Sequence, residues 1–261
     1  MAPSRGGTGA RSETMFYGTF TDEQKAFFRK ALEELRGMFG PFFAQDNLIA
    51  FGRSAGFLTD PRFAAAFGAN ARTDQEKSLA WRLHTLVWAA RHCLHVAGDF
   101  VECGVYKGFS SAVVADYLSF QTIDRRFYLY DTFTGIPEAY DSENRRAAEA
   151  AYFPPNLYEE VCERFSGYPN VVVVRGVVPD VFAEVVPEKI AYLHVDMNAA
   201  KSEIAALEHL FDRVSAGGII VFDDYGWRSY AAQKTAEDRF MAERDYAILE
   251  LPTGQGLMLK R

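Results

Sequence analysis

A chain of 261 residues, 49% hydrophobic and 24% charged, has the apolar content to fill one α/β domain with a helical extension. Its formal net charge of −7, without a Lys/Arg cluster, argues against a nucleic-acid partner and fits a small-molecule enzyme better. No run of 18 apolar residues suggests a membrane span, and the scattered Cys93, Cys103 and Cys162 read as reduced core thiols of a cytoplasmic protein rather than a disulfide framework.

Residues 1–14, rich in Gly, Ser, Arg and Thr, read as a disordered tail. Residues 15–97 read as an N-terminal helical extension or lid. Thr21 is a plausible N-cap, and Phe27, Phe28, Ala31, Leu32 and Leu35 recur at helical spacing until Gly37 and Gly40. The broken stretch 41–72 predicts short helices. One longer helix is expected from about Thr73 to Val96, with Leu79, Leu83, Leu86, Val87 and Ala90 along one stripe.

From residue 98 to 261 the pattern becomes strand–helix alternation. DFVECGV, RRFYLYD, VVVVRG, IAYLHVD and GGIIVFDDY are the strands, most of them nearly all apolar, as in a parallel sheet covered on both faces. The end, DYAILEL-PTGQ-GLMLKR, predicts an antiparallel hairpin. The expected fold is α/β and doubly wound, with a seven-stranded, mostly parallel sheet.

In such sheets ligands sit at the carboxyl ends of the strands. The first strand runs into Glu102-Cys-Gly104-Val-Tyr106-Lys-Gly108-Phe-Ser110-Ser111, where glycines permit a tight turn and a helix start offers free N–H groups. The spacing matches neither G-x-G-x-x-G nor a phosphate-binding P-loop. Strand two ends at Asp131, 23 residues after Gly108, where a carboxylate can accept ribose hydroxyls, although an N-cap would use the same residue. Glycine turn and acid together point to an adenosine-type ligand, with Gly176 at the end of strand three beside the adenine.

Strand four ends in Asp196 and strand five in Asp223-Asp224, so three carboxylates should converge at one edge. Crowded like charges raise one another's pKa or recruit a cation, and hard oxygen donors suit Mg²⁺. Asp223-Asp224 alone would read as a turn; with Asp196 alongside, catalytic or metal use is the stronger reading. Asn198 reads equally as a neutral ligand or an Asx-type turn. His194, inside strand four, reads as a hydrogen-bonded core histidine. His84, His92 and His95 belong to the N-terminal helix without a third ligand type, and His209 reads as solvated.

DFVECGVYKGFSS, YLYDTFTGIPE, LHVDMNAAKSEIAALEHLFDRVSAGGIIVFDDYG and the terminal hairpin resemble the macrocin O-methyltransferase family, which methylates sugar hydroxyls on antibiotics. The resemblance covers about residues 75–261 and implies a class I methyltransferase fold, S-adenosylmethionine as donor and Mg²⁺ dependence. It also implies metal ligation by Asp196, Asp223 and Asp224, and catalysis at Asp196 and Asp223. The cofactor contacts it suggests lie near Glu102, Gly104, Ser110 and Asp131; Tyr106, Ser111, Gly176 and Asp196, at or just past the strand ends, are expected to join them. Family members often carry a second Asp where this chain has Asn198. The acceptor, a hydroxylated small molecule such as a sugar or natural-product glycoside, is not inherited from the resemblance. Its choice is expected to lie in the first 70 residues and in loop 133–154, which reads as a lid or a mobile surface loop. A homo-oligomer is compatible with the sequence. The competing readings are a non-catalytic adenosine-ligand scaffold and an NAD-dependent sugar enzyme; the acid cluster counts against the first and the glycine spacing against the second.

Overall fold

A computed structural model describes residues 21–141 and 153–261; the expected tail 1–14 lies outside them. Helix α1 (Asp22–Phe39) opens on a capping box in which Thr21 accepts from the Gln24 N–H and the Gln24 side chain reaches back to Thr21. It runs through Gly37 and stops at Gly40, whose φ of 75° only glycine adopts readily. Where short helices were expected, an antiparallel hairpin of β1 (Phe43–Gln45) and β2 (Leu48–Ala50) comes first. Asp46 and Asn47 turn it, both at positive φ, the two-residue loop geometry that matches strand twist. Helix α2 (Pro61–Asn70) follows, with Asp60 as N-cap and Pro61 in its first turn.

The single helix expected over 73–96 is two. A capping box between Thr73 and Glu76 starts α3 (Asp74–Ser78), and the chain re-enters helix at α4 (Ala80–Cys93) after Leu79. Buried Leu83, Leu86, Val87 and Ala90 of α4 face the sheet, as the stripe predicts.

The sheet is built from β3 (Asp99–Cys103), β4 (Phe127–Asp131), β5 (Val171–Arg175), β6 (Ile190–Val195), β7 (Val214–Phe222), β8 (Leu249–Glu250) and β9 (Gly256–Leu259). Helices α5 (Phe109–Leu118), α6 (Leu157–Arg164), α7 (Ala200–Leu210) and α8 (Ala231–Ala242) lie between the strands in sequence. The order β5-β4-β3-β6-β7-β9-β8 is parallel through β7, and β9 pairs antiparallel with both β7 and β8. Two apolar layers cover the sheet, one joining α2, α4 and α5, the other α7 and α8.

Chain direction reverses its march between β3 and β6, which makes that pair the switch point where a doubly wound sheet opens a crevice. Register then fixes what stands there. Cys103 is paired with Tyr130 on one side and Val195 on the other, and Val195 with Phe222. The next residue on each strand is therefore Gly104, Asp131, Asp196 or Asp223, set in one row.

Candidate active site

Gly104 begins the row with φ at +89°, and its Cα packs so closely on β6 that an added Cβ would lie 1.8 Å from the Asp196 carbonyl oxygen. Only glycine fits. The loop it opens is held by Asp131, whose Oδ2 accepts the N–H groups of Val105 and Tyr106 at 2.7 Å each, while Oδ1 accepts that of Phe133 at 2.6 Å. Tyr106 is left-handed, at φ 48°, and its ring meets Phe153 edge-on. Gly108 then caps α5 at φ 70°, and the first-turn N–H groups of this helix have no intrahelical acceptor, a ready site for a carboxylate.

Gly104, Asp131, Gly176 and Met197 line one narrow crevice of about 50 Å³, closed over by Ile136 and Phe153. A wider cavity of about 450 Å³ continues past Thr132 and Gly176 to Arg175 at the end of β5. Gly176 approaches the Val181 side chain, where a Cβ would come within 2.8 Å. The expected cofactor positions Gly104, Asp131 and Gly176 thus come together. Ser110 is half-buried on the first turn of α5, and Ser111 is fully buried there with its hydroxyl unpartnered. Glu102 is not among the crevice-lining residues: it stands two residues short of Gly104 on the same face, 2% exposed, and faces His194.

Beyond Met197 lies the acidic end of the row. Asp196 sits half-buried at the tip of β6 with no hydrogen-bond or ion-pair partner for its carboxylate among the described residues. Burial first, then the charges of Asp223 and Asp224, push its carboxyl well above the usual range. Asp223 is the opposite case. Burial works against its charge, yet Arg82 and His194 hold it well below the ordinary carboxylate range. Its Oδ2 takes Arg82 Nη1 at 2.6 Å and its Oδ1 takes Gln255 Nε2 at 3.0 Å. Asp224 is drawn toward the same guanidinium, at 3.6 Å.

Three participants were not legible as site residues. Arg82 of α4 forks onto Asp46 of the β1–β2 turn at 3.0 and 3.1 Å, so the N-terminal extension is clamped to the acid cluster. Burial outweighs the Arg82 charge and leaves the Asp46 carboxyl pushed up to about 6. A lone Arg beside a buried leucine stripe gave the only sequence signal for Arg82, and Gln255 in a turn gave none. His194 is the hydrogen-bonded core histidine that was expected, with Nδ1 3.1 Å from Glu102 Oε1, but its other nitrogen faces Asp223 at 3.6 Å. Burial disfavours a charged imidazole here; the flanking carboxylates outweigh that and hold it well above its ordinary range. The signal was strand alternation, since residues 194 and 196 share a face.

Ligand atoms of His194, Asp196 and Asp223 all lie within 4.8 Å of one another, so these three could hold a metal ion. Asn198 adopts φ 58° in the turn before α7, which favours its turn reading. Among the histidines of α4, His84 stacks on Phe57 and His92 contacts the Gly217 carbonyl. His209 bonds the Ala205 carbonyl on the α7 surface. Of the loop expected to form a lid, residues 142–152 lie outside the described residues; Lys201 ties its start down by donating to the Ala139 carbonyl at 2.7 Å.

Residues 75–247 match the family model for macrocin O-methyltransferase (TylF). This chain belongs to that family. It is therefore an S-adenosylmethionine-dependent methyltransferase, consistent with the strand-end row already described. Mycinamicin III 3''-O-methyltransferase of Micromonospora griseorubida is 27% identical over 194 residues, 66% of this chain and 74% of that one. The 8-demethyl-8-(2,3-dimethoxy-alpha-L-rhamnosyl)-tetracenomycin-C 4'-O-methyltransferase of Streptomyces olivaceus is 31% identical over 141 residues, half of this chain and 54% of its own. Among solved structures the O-methyltransferase NovP superposes with a TM-score of 0.60 at 24% identity, over 69% of this chain and 79% of that chain, which establishes the shared fold. Among the described residues no helix is long and apolar enough to cross a membrane.

Proposed function

We propose that this methyltransferase acts on a hydroxyl of a sugar carried by a natural product, with a divalent cation at the acid cluster. The acceptor class is taken from the relatives, whose names place them on glycosylated antibiotics. The observation that carries the chemistry is the adjacency of Met197 in the crevice wall to Asp196, whose carboxylate is half-buried, crowded by two other acids and without a partner among the described residues. A structural carboxylate is satisfied by hydrogen bonds; one left uncompensated beside a ligand crevice suits a cation or a proton in transit.

The residues present fit a dication. Asp196 and Asp223 would hold it, with Asp224 nearby, and three oxygen donors suit Mg²⁺. Bound there, the ion supplies Lewis-acid polarisation of an acceptor hydroxyl. Transfer breaks the bond from sulfur to the methyl carbon, forms one from oxygen to that carbon, and releases the hydroxyl proton. Asp196 is the group placed to receive that proton, through the carboxylate oxygen that the cation leaves free, since no described protein group engages it. Asp131 keeps the Gly104 loop in shape, with capacity on both oxygens for ribose hydroxyls, and the α5 N-terminus offers N–H groups to the amino-acid carboxylate of the donor.

Calorimetry with S-adenosylmethionine, with and without Mg²⁺, tests the site, and mass spectrometry of glycosides incubated with isotopically labelled donor tests the acceptor class. Asp196→Asn should abolish transfer while donor affinity stays within a few-fold. Equal loss of both would make Asp196 a structural residue. Undiminished turnover after exhaustive chelation would leave Arg82 as the resident countercharge of a metal-free site.

A further inference from the structure

His194 has a nitrogen that none of the described residues satisfies. The side chain is 1% exposed, and Nε2 is buried without a hydrogen-bond partner. Its separation from Asp223 Oδ1, 3.6 Å, is too long for a hydrogen bond. It is the separation expected of two donors sharing one ion, since ligands about 2.1 Å from a tetrahedral centre lie roughly 3.4 Å apart. Asp196 completes the group within 4.8 Å.

The ring is also oriented as a ligand would be. Glu102 stands directly opposite His194 in the β3–β6 register and meets Nδ1 at 3.1 Å. A carboxylate accepting the Nδ1 proton fixes the ring orientation and raises the basicity of Nε2, the arrangement found behind metal-bound histidines, and an ion binding there would displace the Nε2 proton. Asp224 lies outside that group of three and pairs with the Arg82 guanidinium at 3.6 Å. We infer that His194, backed by Glu102, is a nitrogen donor to the cation, so that the inner ligand set is His194, Asp196 and Asp223 and prefers a transition-metal dication to Mg²⁺. Imidazole suits Fe²⁺, Ni²⁺ or Zn²⁺ far better than Mg²⁺, which takes carboxylate, carbonyl and water oxygens; Mn²⁺ is the weakest binder of the first-row series and serves here as the paramagnetic probe.

This rests on the reading of the acid cluster as a cation site, and the test separates the two. Purified apoprotein is titrated with Mg²⁺, Mn²⁺ and Co²⁺ by calorimetry, and the Mn²⁺ form is examined by pulsed electron paramagnetic resonance for ¹⁴N coupling. Expected are binding of Mn²⁺ and Co²⁺ at least tenfold tighter than Mg²⁺, and a ¹⁴N signal from a directly bound imidazole. His194→Gln should remove that signal and weaken Mn²⁺ at least tenfold, leaving Mg²⁺ within about twofold. Glu102→Gln should weaken Mn²⁺ by about 10- to 100-fold, the effect typical of losing an outer-shell partner, with the ¹⁴N signal retained. Bound Mn²⁺ without ¹⁴N coupling overturns the His194 assignment and leaves an all-oxygen site standing. No binding of any of the three ions overturns both readings. The ¹⁴N measurement needs only the natural chain, so a variant that fails to fold does not block it.

Discussion

Arg82 Nη1 stands 2.6 Å from Asp223 Oδ2, joining a helix of the N-terminal extension to the end of the fifth strand of the sheet's parallel run. The same guanidinium forks onto Asp46 and lies 5.2 Å from the Trp227 ring centroid, so one side chain holds the hairpin turn, the acid cluster and an aromatic together. Arg82 and Asp223 are both buried, and removing the cation strands two carboxylates in a low dielectric. Arg82→Ala should cost about 3–5 kcal/mol in urea unfolding. Arg82→Lys should recover only part of that, because an ammonium cannot reproduce a planar fork. A saturating divalent cation should raise the melting temperature of Arg82→Ala more than that of the natural chain. Equal shifts would show that Arg82 does not share its carboxylates with the cation.

Gly104→Ala is expected to be the most damaging small substitution in the domain. The added methyl would occupy the space of the Asp196 carbonyl, at a backbone angle that side chains rarely adopt. Strain and overlap together should cost about 3 kcal/mol or more. Because the displaced segment carries Asp196, transfer should be lost even in any fraction that remains folded. Circular dichroism melts paired with a labelled-donor assay check this, and a variant of natural stability and activity would mean that the turn is looser than described.

Much of this arrangement was legible from residue order alone. The strands of the sheet read as apolar runs, each closed by a small or acidic residue, and the switch-point rule converts those endings into the row Gly104, Asp131, Asp196, Asp223. What escaped was what local pattern cannot encode. Three-residue strands such as Phe43–Gln45 are too short to show alternation, and the break at Leu79 is marked neither by Gly or Pro nor by a capping side chain. Arg82 and Asp46 are 36 residues apart in sequence and mean nothing singly. The family resemblance suggests Glu102 as a cofactor contact, yet cross-strand register sets it opposite His194.

Asp131→Asn should separate charge from shape. All three N–H donors around Asp131 need oxygen acceptors, and an amide nitrogen in either orientation would confront at least one of them. The expected loss is about 2–3 kcal/mol of stability. Affinity for S-adenosylhomocysteine should fall at least tenfold if the Val105–Tyr106 backbone, as proposed, forms part of the cofactor loop. Calorimetry with S-adenosylhomocysteine decides the matter. Unchanged affinity would remove Asp131 from the cofactor site.

Glu237 offers a pH-dependent check on the packing behind the cluster. It is 1% exposed on α8 and interacts with Glu203 of α7, which accepts the Met197 N–H and the Gln233 amide. Burial pushes the Glu237 carboxyl up to about 7 from an ordinary 4.5. Between those two values the folded chain holds a proton that the unfolded chain has released, so stability falls as pH rises through the interval. The contribution is fully favourable below about pH 4.5 and is lost above about 7, on the order of 2–3 kcal/mol in all. Glu237→Gln keeps the shape and removes the titration. It should match the natural chain in urea unfolding at pH 5 and exceed it at pH 8, and a difference that is flat across that range would mean that the two carboxyls share no proton.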